Sequence, residues 1–183
     1  KQYESDHSRR SRQGSFQISA LLDNVRSAWN VGDIFRTADA LGVGRLYLCG
    51  ITPTPEDRVL AKTALGAETW VPWEYAPDSV LLATRLQAEG HRLCALELGE
   101  GAVELSEFPD MGLTERCHAA GQFQPVILIL GNEVVGIDPD LLEISEYVLA
   151  IGMRGKKQSL NVAVTFGIAA YQLSLLADQS TSH

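Results

Sequence analysis

Three segments of the chain combine glycines with polar side chains that can bind a ligand or stabilise charge. The first is residues 24–39 (NVRSAWNVGDIFRTAD), in which Asn30 and Arg36 fall at the start and on one side of a predicted helix. The other two are residues 130–138 (LGNEVVGID) and residues 151–167 (IGMRGKKQSLNVAVTFG). Glycines let the backbone approach a ligand closely, and a guanidinium can hold a hydroxyl and stabilise developing negative charge.

Each of these features also has a simpler explanation. An arginine on a helix is usually a surface residue, so Arg36 alone does not establish catalysis. Ser159 precedes a predicted helix and can serve as its N-cap, with Asn161 in the first turn. Taken alone, these residue types leave a functional site and an ordinary surface both open.

Several familiar motifs are absent from the three segments. Gly131 and Gly136 have the spacing of a phosphate-binding loop, but Ile137 and Asp138 stand where Lys and Ser or Thr are required. The Gly42-Val43-Gly44 run precedes a predicted strand instead of following one, which argues against a dinucleotide-binding fingerprint. The 4 histidines and 3 cysteines form no zinc pattern, so we predict reduced thiols and no metal site.

The spacing of apolar residues predicts the elements that position these segments. Strands are predicted at residues 17–24, 45–49, 68–73, 91–98, 125–130 and 146–151. Helices are predicted at residues 28–41, 57–65, 78–89 and 160–177, and residues 108–124 are predicted to be mostly loop. Because strands alternate with helices, we predict an α/β fold with a parallel sheet and helices on both faces. In such sheets ligands bind beyond the carboxyl ends of strands, which is where residues 131–133 fall.

Length and composition favour one intracellular domain. The chain has 183 residues, of which 45% are hydrophobic, and this suits a single core. No run approaches the roughly 20 apolar residues of a membrane span, and the N-terminal sequence lacks the apolar core of a secretion signal. We therefore predict a soluble, cytoplasmic protein with a mobile arm at residues 1–16, a domain at residues 17–178 and a disordered tail at residues 179–183.

The charge distribution bears on nucleic-acid binding. The formal net charge of −8 argues against general affinity for phosphates. Cations are nevertheless concentrated, one group lying in residues 1–12 and another in residues 154–157, so a basic face on an acidic body is possible. A solvated surface with no partner remains the alternative.

Taken together, the three segments resemble a known family. NVG followed by FRTADALG, then LGNE with a glycine three residues on, then SLNVAV with FGIAAY behind it are similar to the ordered motifs of the SpoU branch of the SPOUT RNA methyltransferases. The resemblance extends over about residues 18–175. It implies a three-layer α/β sandwich with a deep C-terminal trefoil knot, in a homodimer. Patterning alone would not predict a knot, because threaded chains are almost absent from protein folds.

The resemblance also implies the activity and its residues. The activity is transfer of a methyl group from S-adenosylmethionine to a ribose 2′-hydroxyl of structured RNA, either tRNA or rRNA, with S-adenosylhomocysteine as product. The implied catalytic residues are Arg36, Asn30, Glu133, Ser159 and Asn161. The implied cofactor pocket is lined by Leu96, Glu97, Leu130, Gly131, Asn132, Ile151, Met153, Ser159 and Leu160. The residues expected to contact RNA phosphates are Arg9, Arg10, Arg12, Arg154, Lys156 and Lys157.

A sulfonium methyl group is already electrophilic, so this chemistry needs alignment and a route for the hydroxyl proton, and it needs no metal. Because arginine stays protonated in proteins, we expect Arg36 to hold the hydroxyl and stabilise the alkoxide. A substrate phosphate or a nearby carboxylate would then take the proton. Two alternatives remain at this point: an RNA methyltransferase of the same fold that modifies a base, and a non-catalytic RNA-binding protein.

Overall fold

The fold is built on one parallel sheet, which positions every turn of the candidate site. The computed structural model describes residues 17–99, 101–111 and 124–180. Its strands are β1 (Ile18–Asp23), β2 (Leu46–Cys49), β3 (Trp73–Ala76), β4 (Arg92–Leu96), β5 (Val103–Glu104), β6 (Val126–Leu130) and β7 (Tyr147–Ala150). They lie in the order β3-β2-β1-β6-β4-β7-β5, and all neighbours pair in parallel. The predicted α/β class with a parallel sheet is confirmed.

Helices cover both faces of this sheet. Within the described ranges they are α1 (Ala28–Leu41), α2 (Arg58–Ala64), α3 (Ser79–Ala88), α4 (Pro139–Ile144) and α5 (Val162–Ser180). Short 3-10 segments occupy Ala67–Thr69 and Leu105–Met111. None of these helices is both long and apolar enough to cross a membrane.

Alternate residues of the central strands feed two separate cores. In β6, Val126, Leu128 and Leu130 belong to the core beneath α1, α2 and α5. Ile127 and Ile129 belong to the core beneath α3 and α4. Because a strand covered on both faces buries every side chain, β6 is apolar at each of its positions. The two cores and the sheet between them make the predicted three-layer sandwich.

Polar caps fix where the helices begin. Ser27 is the N-cap of α1, where its hydroxyl accepts the Asn30 N–H, and Gly42 ends α1 in the left-handed conformation at φ +66°. The predicted bounds of α1 are therefore confirmed. Asp57 and Asp78 cap α2 and α3 in the same way. Since α1 starts directly after β1, its first turn lies at the carboxyl edge of the sheet.

One strand lies elsewhere than predicted. The prediction of a strand at residues 68–73 is wrong, because β3 starts at Trp73, after a 3-10 turn at Ala67–Thr69. Pro72 has no N–H for a ladder, but its carbonyl accepts the Leu46 N–H and so begins the pairing with β2. The prediction that Pro72 marks an edge or an end holds, because β3 is the edge strand.

Other elements were not predicted. The periodicity of the sequence did not indicate the short β5 and α4. The 3-10 helix at Leu105–Met111 overlaps the start of residues 108–124, where we expected mostly loop with one helical turn. Helix α5 begins at Val162 and extends to Ser180, two residues beyond the expected end of the domain. The predicted arm at residues 1–16 and residues 181–183 of the predicted tail lie outside the described residues.

The close contact of α1 with α2 gives a test of the packing. A methyl group added at Gly32 would lie 2.6 Å from Thr63 Cβ and 2.9 Å from the Leu60 carbonyl oxygen. Gly32→Ala should therefore lower the free energy of unfolding by about 1–3 kcal/mol, measured by urea denaturation. Gly167→Ala in α5 is the control, because its new methyl group would meet only Thr37 Cγ2, at 3.7 Å. That variant should keep stability or gain about 0.5–1 kcal/mol; equal losses for both would contradict this packing.

Candidate nucleoside-binding site

Three turns meet at the carboxyl edge of the sheet and enclose a cavity of about 1200 Å³. They follow β1, β6 and β7, and the end of β4 closes the remaining side. The lining includes, among the residues predicted for catalysis or cofactor binding, Asn30, Leu96, Glu97, Leu130, Gly131, Asn132, Glu133, Ile151, Met153, Ser159, Leu160 and Asn161. The structure thus brings these predicted residues together, with Arg36 as the exception.

The carboxylate of Glu133 joins the turn after β6 to the start of α1. It accepts the backbone N–H groups of Arg26 at 2.9 Å and Ser27 at 3.1 Å, and the side-chain amide of Asn30 at 3.1 Å. Partial burial raises the pKa of Glu133, but the hydrogen bonds outweigh it and hold the pKa below its ordinary value. The stabilisation from this ionised group is therefore complete above the ordinary pKa of a glutamate and is lost as the pH falls through the lowered one.

Asn30 and Asn161 connect the first helix to the last. The amide nitrogen of Asn161 donates to the amide oxygen of Asn30 at 2.9 Å. The amide oxygen of Asn161 accepts the Ala163 N–H at 2.8 Å, so Asn161 is the N-cap of α5. The expectation that Ser159 caps this helix is wrong, because the helix starts two residues later than predicted. Ser159 instead lines the cavity.

The turn after β6 requires its glycines. A methyl group at Gly131 would lie 2.3 Å from the Gly136 carbonyl carbon, and Gly136 itself has φ +79°. Asn132 holds the turn from inside: its amide oxygen accepts the N–H groups of Val134 and Val135, and its amide nitrogen donates to the Asn24 carbonyl at 2.8 Å. Gly131 and Gly136 have the spacing of a phosphate-binding loop, but here they allow a tight turn that the side chain of Asn132 stabilises.

Two further carboxylates hold the far end of this turn. Asp23, only 2% exposed, accepts the Asp138 N–H at 3.1 Å. Glu97 accepts the N–H groups of Ile137 and Leu98, each at 3.1 Å. The side chain of Glu97 thus braces the turn while the residue lines the cavity. Asp23 was not singled out from the sequence, where an acidic residue at the end of a strand is indistinguishable from a solvated one.

Cations lie in two of the turns that form the cavity. Lys157 and Arg26 line it, and Arg154 and Lys156 lie exposed in the loop after β7. In the described part of the chain none of these four takes part in an ion pair. Arg26 was missed by the sequence analysis, although it lies within the first motif segment. The predicted RNA contacts Arg9, Arg10 and Arg12 fall outside the described residues.

Arg36 lies outside this cavity. Its side chain is 53% exposed and pairs with Asp33 at 3.7 Å. It lines a neighbouring groove of about 970 Å³ between α1 and α5, where Tyr171 lies on the opposite wall. Asn161 and Val164 line both spaces, so the groove borders the cavity. Arg36 is six positions after Asn30, about 9 Å along a helix, and this is why Asn30 reaches the cavity of its own chain while Arg36 does not.

The site offers hydrogen-bonding and electrostatic chemistry more than nucleophilic chemistry. Burial raises the pKa of Cys49 and of Cys94 to about 12, so neither thiol is ionised at neutral pH. Both are free, as predicted. Among the described residues no group of three or more His, Cys, Asp or Glu could hold a metal ion. What remains is a preformed cradle with amides, an ionised carboxylate and apolar walls, which suits a nucleoside-sized ligand.

Known proteins match the same part of the chain. The model of the SpoU rRNA Methylase family matches residues 17–171. The tRNA (guanosine(18)-2′-O)-methyltransferase of Aquifex aeolicus is 29% identical over 155 residues, which cover 85% of this chain and 67% of that protein. The 23S rRNA (guanosine(2553)-2′-O)-methyltransferase RlmP of Bacillus subtilis is 32% identical over 155 residues, which cover 84% of this chain and 56% of that protein.

A solved structure agrees with this match. The AdoMet-bound rRNA methyltransferase from Sinorhizobium meliloti has a TM-score of 0.73 at 26% identity, covering 86% of this chain and 56% of that one. This chain therefore spans between about half and two thirds of the length of these relatives. The family match begins where β1 begins and includes all three turns of the cavity. The chain belongs to the SpoU rRNA methylase family.

Proposed function

We propose that this chain is an S-adenosylmethionine-dependent RNA methyltransferase that modifies a ribose 2′-hydroxyl in tRNA or rRNA. The observation that carries the proposal is the hydrogen-bonded connection of Glu133, Asn30 and Asn161, which ties three turns around one cavity. The names of the two curated relatives describe 2′-O-methylation of guanosine, one in tRNA and one in rRNA.

The cavity suits S-adenosylmethionine. Apolar side chains that can contact an adenine ring line it, namely Leu96, Leu130, Ile151, Met153 and Leu160. Gly131 lines the cavity within the tight turn after β6, where the backbone would come close to the polar edges of a nucleoside. When bound, the cofactor supplies a methyl group on a positively charged sulfur. The matching Sinorhizobium meliloti protein was solved with AdoMet bound.

Arg36 is the residue we assign to the ribose hydroxyl. Its groove adjoins the cavity at Asn161 and Val164, so a nucleotide in the groove can direct its 2′-oxygen toward the cofactor site. The guanidinium would hold that oxygen and stabilise its negative charge as the oxygen–carbon bond forms and the carbon–sulfur bond breaks. The hydroxyl proton would pass to a substrate phosphate or to a nearby carboxylate, and Asp33, 3.7 Å from Arg36, is one candidate.

A homodimer is part of the proposal. Helix α5 exposes an apolar stripe at spacings of three and four residues, formed by Val164, Ile168, Tyr171 and Leu175, each between 39% and 55% exposed. The first three line the groove that contains Arg36. A second copy is the occupant we propose, because pairing across this stripe would enclose a guanidinium that is half exposed in one chain. Enclosure would also strengthen its electrostatic effect on the reacting oxygen.

The deep trefoil knot also belongs to the proposal. Strand β7 lies between β4 and β5, yet α5, the next element of the chain, packs against α1, β1 and β6. The loop at residues 151–161 must therefore cross the carboxyl ends of β4 and β6, beside the turn that follows β6. We propose that the chain also threads through the loop that it crosses, which is what makes a knot; the crossing brings Asn161 to Asn30.

RNA would approach from the cationic side of the cavity. Arg154 and Lys156 are exposed there and free of ion pairs within the described chain, and Lys157 and Arg26 line the opening. Phosphate contacts from such residues set the register of RNA on a protein without reading sequence. The cytoplasmic location predicted from the sequence would bring the protein together with tRNA and rRNA, and it stays a prediction.

The first test concerns Arg36. Arg36→Lys should lower the single-turnover methylation rate at least about 100-fold, because lysine lacks the planar fork that holds and stabilises an oxyanion. Cofactor affinity, measured by calorimetry, should stay within about twofold. Arg45→Lys is the matched control, since Arg45 is also a partly exposed arginine in a surface ion pair. Nucleoside mass spectrometry of the product separates sugar from base methylation. A near-normal rate for Arg36→Lys would remove Arg36 from the mechanism.

The second test concerns RNA contacts. The double variant Arg154→Glu with Lys156→Glu should weaken RNA binding at least about tenfold near 0.1 M salt and flatten its salt dependence. Cofactor affinity should not change, because neither side chain lines the cavity. Arg58→Glu with Lys62→Glu on α2 changes the net charge equally. If both double variants weaken binding by the same factor, the effect is one of net charge and the assignment of these contacts fails.

The third test concerns the dimer. Tyr171→Glu places a charge on the apolar stripe and should shift the protein to a monomer in light-scattering measurements, with loss of methylation. Leu81→Glu on α3 is the control, because Leu81 is 70% exposed and lies on the other face of the sheet. A monomeric parent protein at about 10 μM, well above typical dimer dissociation constants, would contradict the proposed pairing.

A further inference from the structure

The loop after β7 donates a hydrogen bond to the carboxylate of Glu104, a residue outside the sequence motifs described above. Glu104 is the second residue of β5, and its Oε2 accepts the Gly152 N–H at 3.1 Å. Gly152 begins the loop that carries Met153, Ser159 and Leu160 into the cavity. Glu104 itself does not line the cavity, so any effect on a ligand must pass through this loop.

The backbone places Glu104 at this point. β5 consists of only two residues, and its pairing with β7 sets Val103 opposite Leu149 and Glu104 opposite Ala150. Val103 packs against the core, and the alternation of a strand turns the next side chain the other way. The carboxylate therefore lies directly beyond the end of β7, where the chain leaves the sheet.

Gly152 is fitted to this carboxylate. A methyl group at Gly152 would lie 2.5 Å from one carboxylate oxygen of Glu104 and 3.0 Å from the other. The backbone conformation of Gly152 does not itself require glycine, because its φ is not in the left-handed region. A side chain at this position would therefore have to displace the Glu104 carboxylate from its hydrogen bond with the Gly152 N–H.

A second glutamate contacts a glycine in the turn after β6. Glu97 accepts the Ile137 N–H, and a methyl group at Gly136 would lie 2.6 Å from its Oε2. A glutamate thus braces a glycine turn on each side of the cavity. Hydrogen bonds from backbone N–H groups to an ionised carboxylate are stronger than those between neutral groups, which suits them to hold a loop in place.

We propose that Glu104 is a positioning residue of the cofactor site: its carboxylate fixes Gly152 and thereby the wall formed by the loop after β7. The proposal rests on the proposed function, since it takes S-adenosylmethionine as the ligand of the cavity. A loop that is already in its bound conformation costs less ordering entropy on binding, so the carboxylate raises cofactor affinity without touching the cofactor.

Calorimetry with S-adenosylmethionine tests this directly. Glu104→Ala should weaken cofactor binding about tenfold, the loss of one charged hydrogen bond. Glu104→Gln keeps an acceptor oxygen and should recover most of the affinity, staying within about threefold. Glu107→Ala, an exposed glutamate three residues on, is the matched control and should bind normally. In methylation assays Glu104→Ala should raise KM for the cofactor while kcat at saturation stays near normal.

A double-mutant cycle supplies the second measurement. Gly152→Ala should weaken cofactor binding about tenfold in the parent protein and less than about threefold in the Glu104→Ala background, where the carboxylate it would strike is gone. Equal effects in both backgrounds, or parent-like affinity of Glu104→Ala, would overturn the proposal.

Amide NMR separates this inference from the proposed function. The Gly152 N–H resonance should move upfield in Glu104→Ala, which removes its charged acceptor, and remain in place in Glu107→Ala. If the parent protein fails to bind S-adenosylmethionine, the proposed function fails. The Gly152 resonance then still tests the hydrogen bond between Glu104 and Gly152. An unchanged resonance in Glu104→Ala would contradict that hydrogen bond and overturn the inference.

Discussion

The candidate site depends on one charged interaction, the acceptance of the Arg26 and Ser27 N–H groups by the Glu133 carboxylate. These groups lie at the start of α1, where a helix has no internal acceptors for its first N–H groups, and the helix dipole adds to the attraction. The same carboxylate orients Asn30, and Asn30 in turn receives Asn161. Removing the charge would leave donors without partners and free the amide that connects the first helix to the last.

The parallel sheet makes this interaction possible. β1 and β6 are far apart in sequence but adjacent in the sheet, so the turns that follow them meet at one edge. The same rule brings the loop after β7 to that edge, although it must cross β4 and β6 before α5 can pack on α1. Arg36 lies about 9 Å further along α1, outside the cavity, in a groove that Asn161 also lines. The geometry therefore separates the cavity from the groove that contains Arg36, and it is at this groove that we propose a second copy pairs.

Sequence patterns predicted the elements whose bounds depend on interactions between residues close together in the sequence. The bounds of α1 follow from the Ser27 cap, the apolar face and Gly42, and β6 follows from five consecutive apolar residues. Where longer-range contacts decide, the patterns failed: β5 is a strand only because it pairs with β7, and it is too short to show periodicity. The family motifs identified most residues of the cavity. The motifs could not predict that Arg36 lies in a separate groove. A motif indicates which face of a helix carries a residue, but it does not indicate which element packs against that face.

The proposed RNA binding by an acidic chain depends on where the charged groups near the site lie. Asp23, Glu97, Glu104 and Glu133 all accept backbone N–H groups, so their oxygens point into the protein's own turns. Arg36, Arg45, Arg85 and Arg92 form ion pairs, and in the described chain Arg154, Lys156 and Lys157 do not. In the proposed complex we expect these unpaired loop cations to give an approaching phosphate local contacts, although the formal net charge is −8. The site thus has carboxylates that accept backbone N–H groups in the turns, and exposed cations in the loop after β7 that form no ion pair in the described chain.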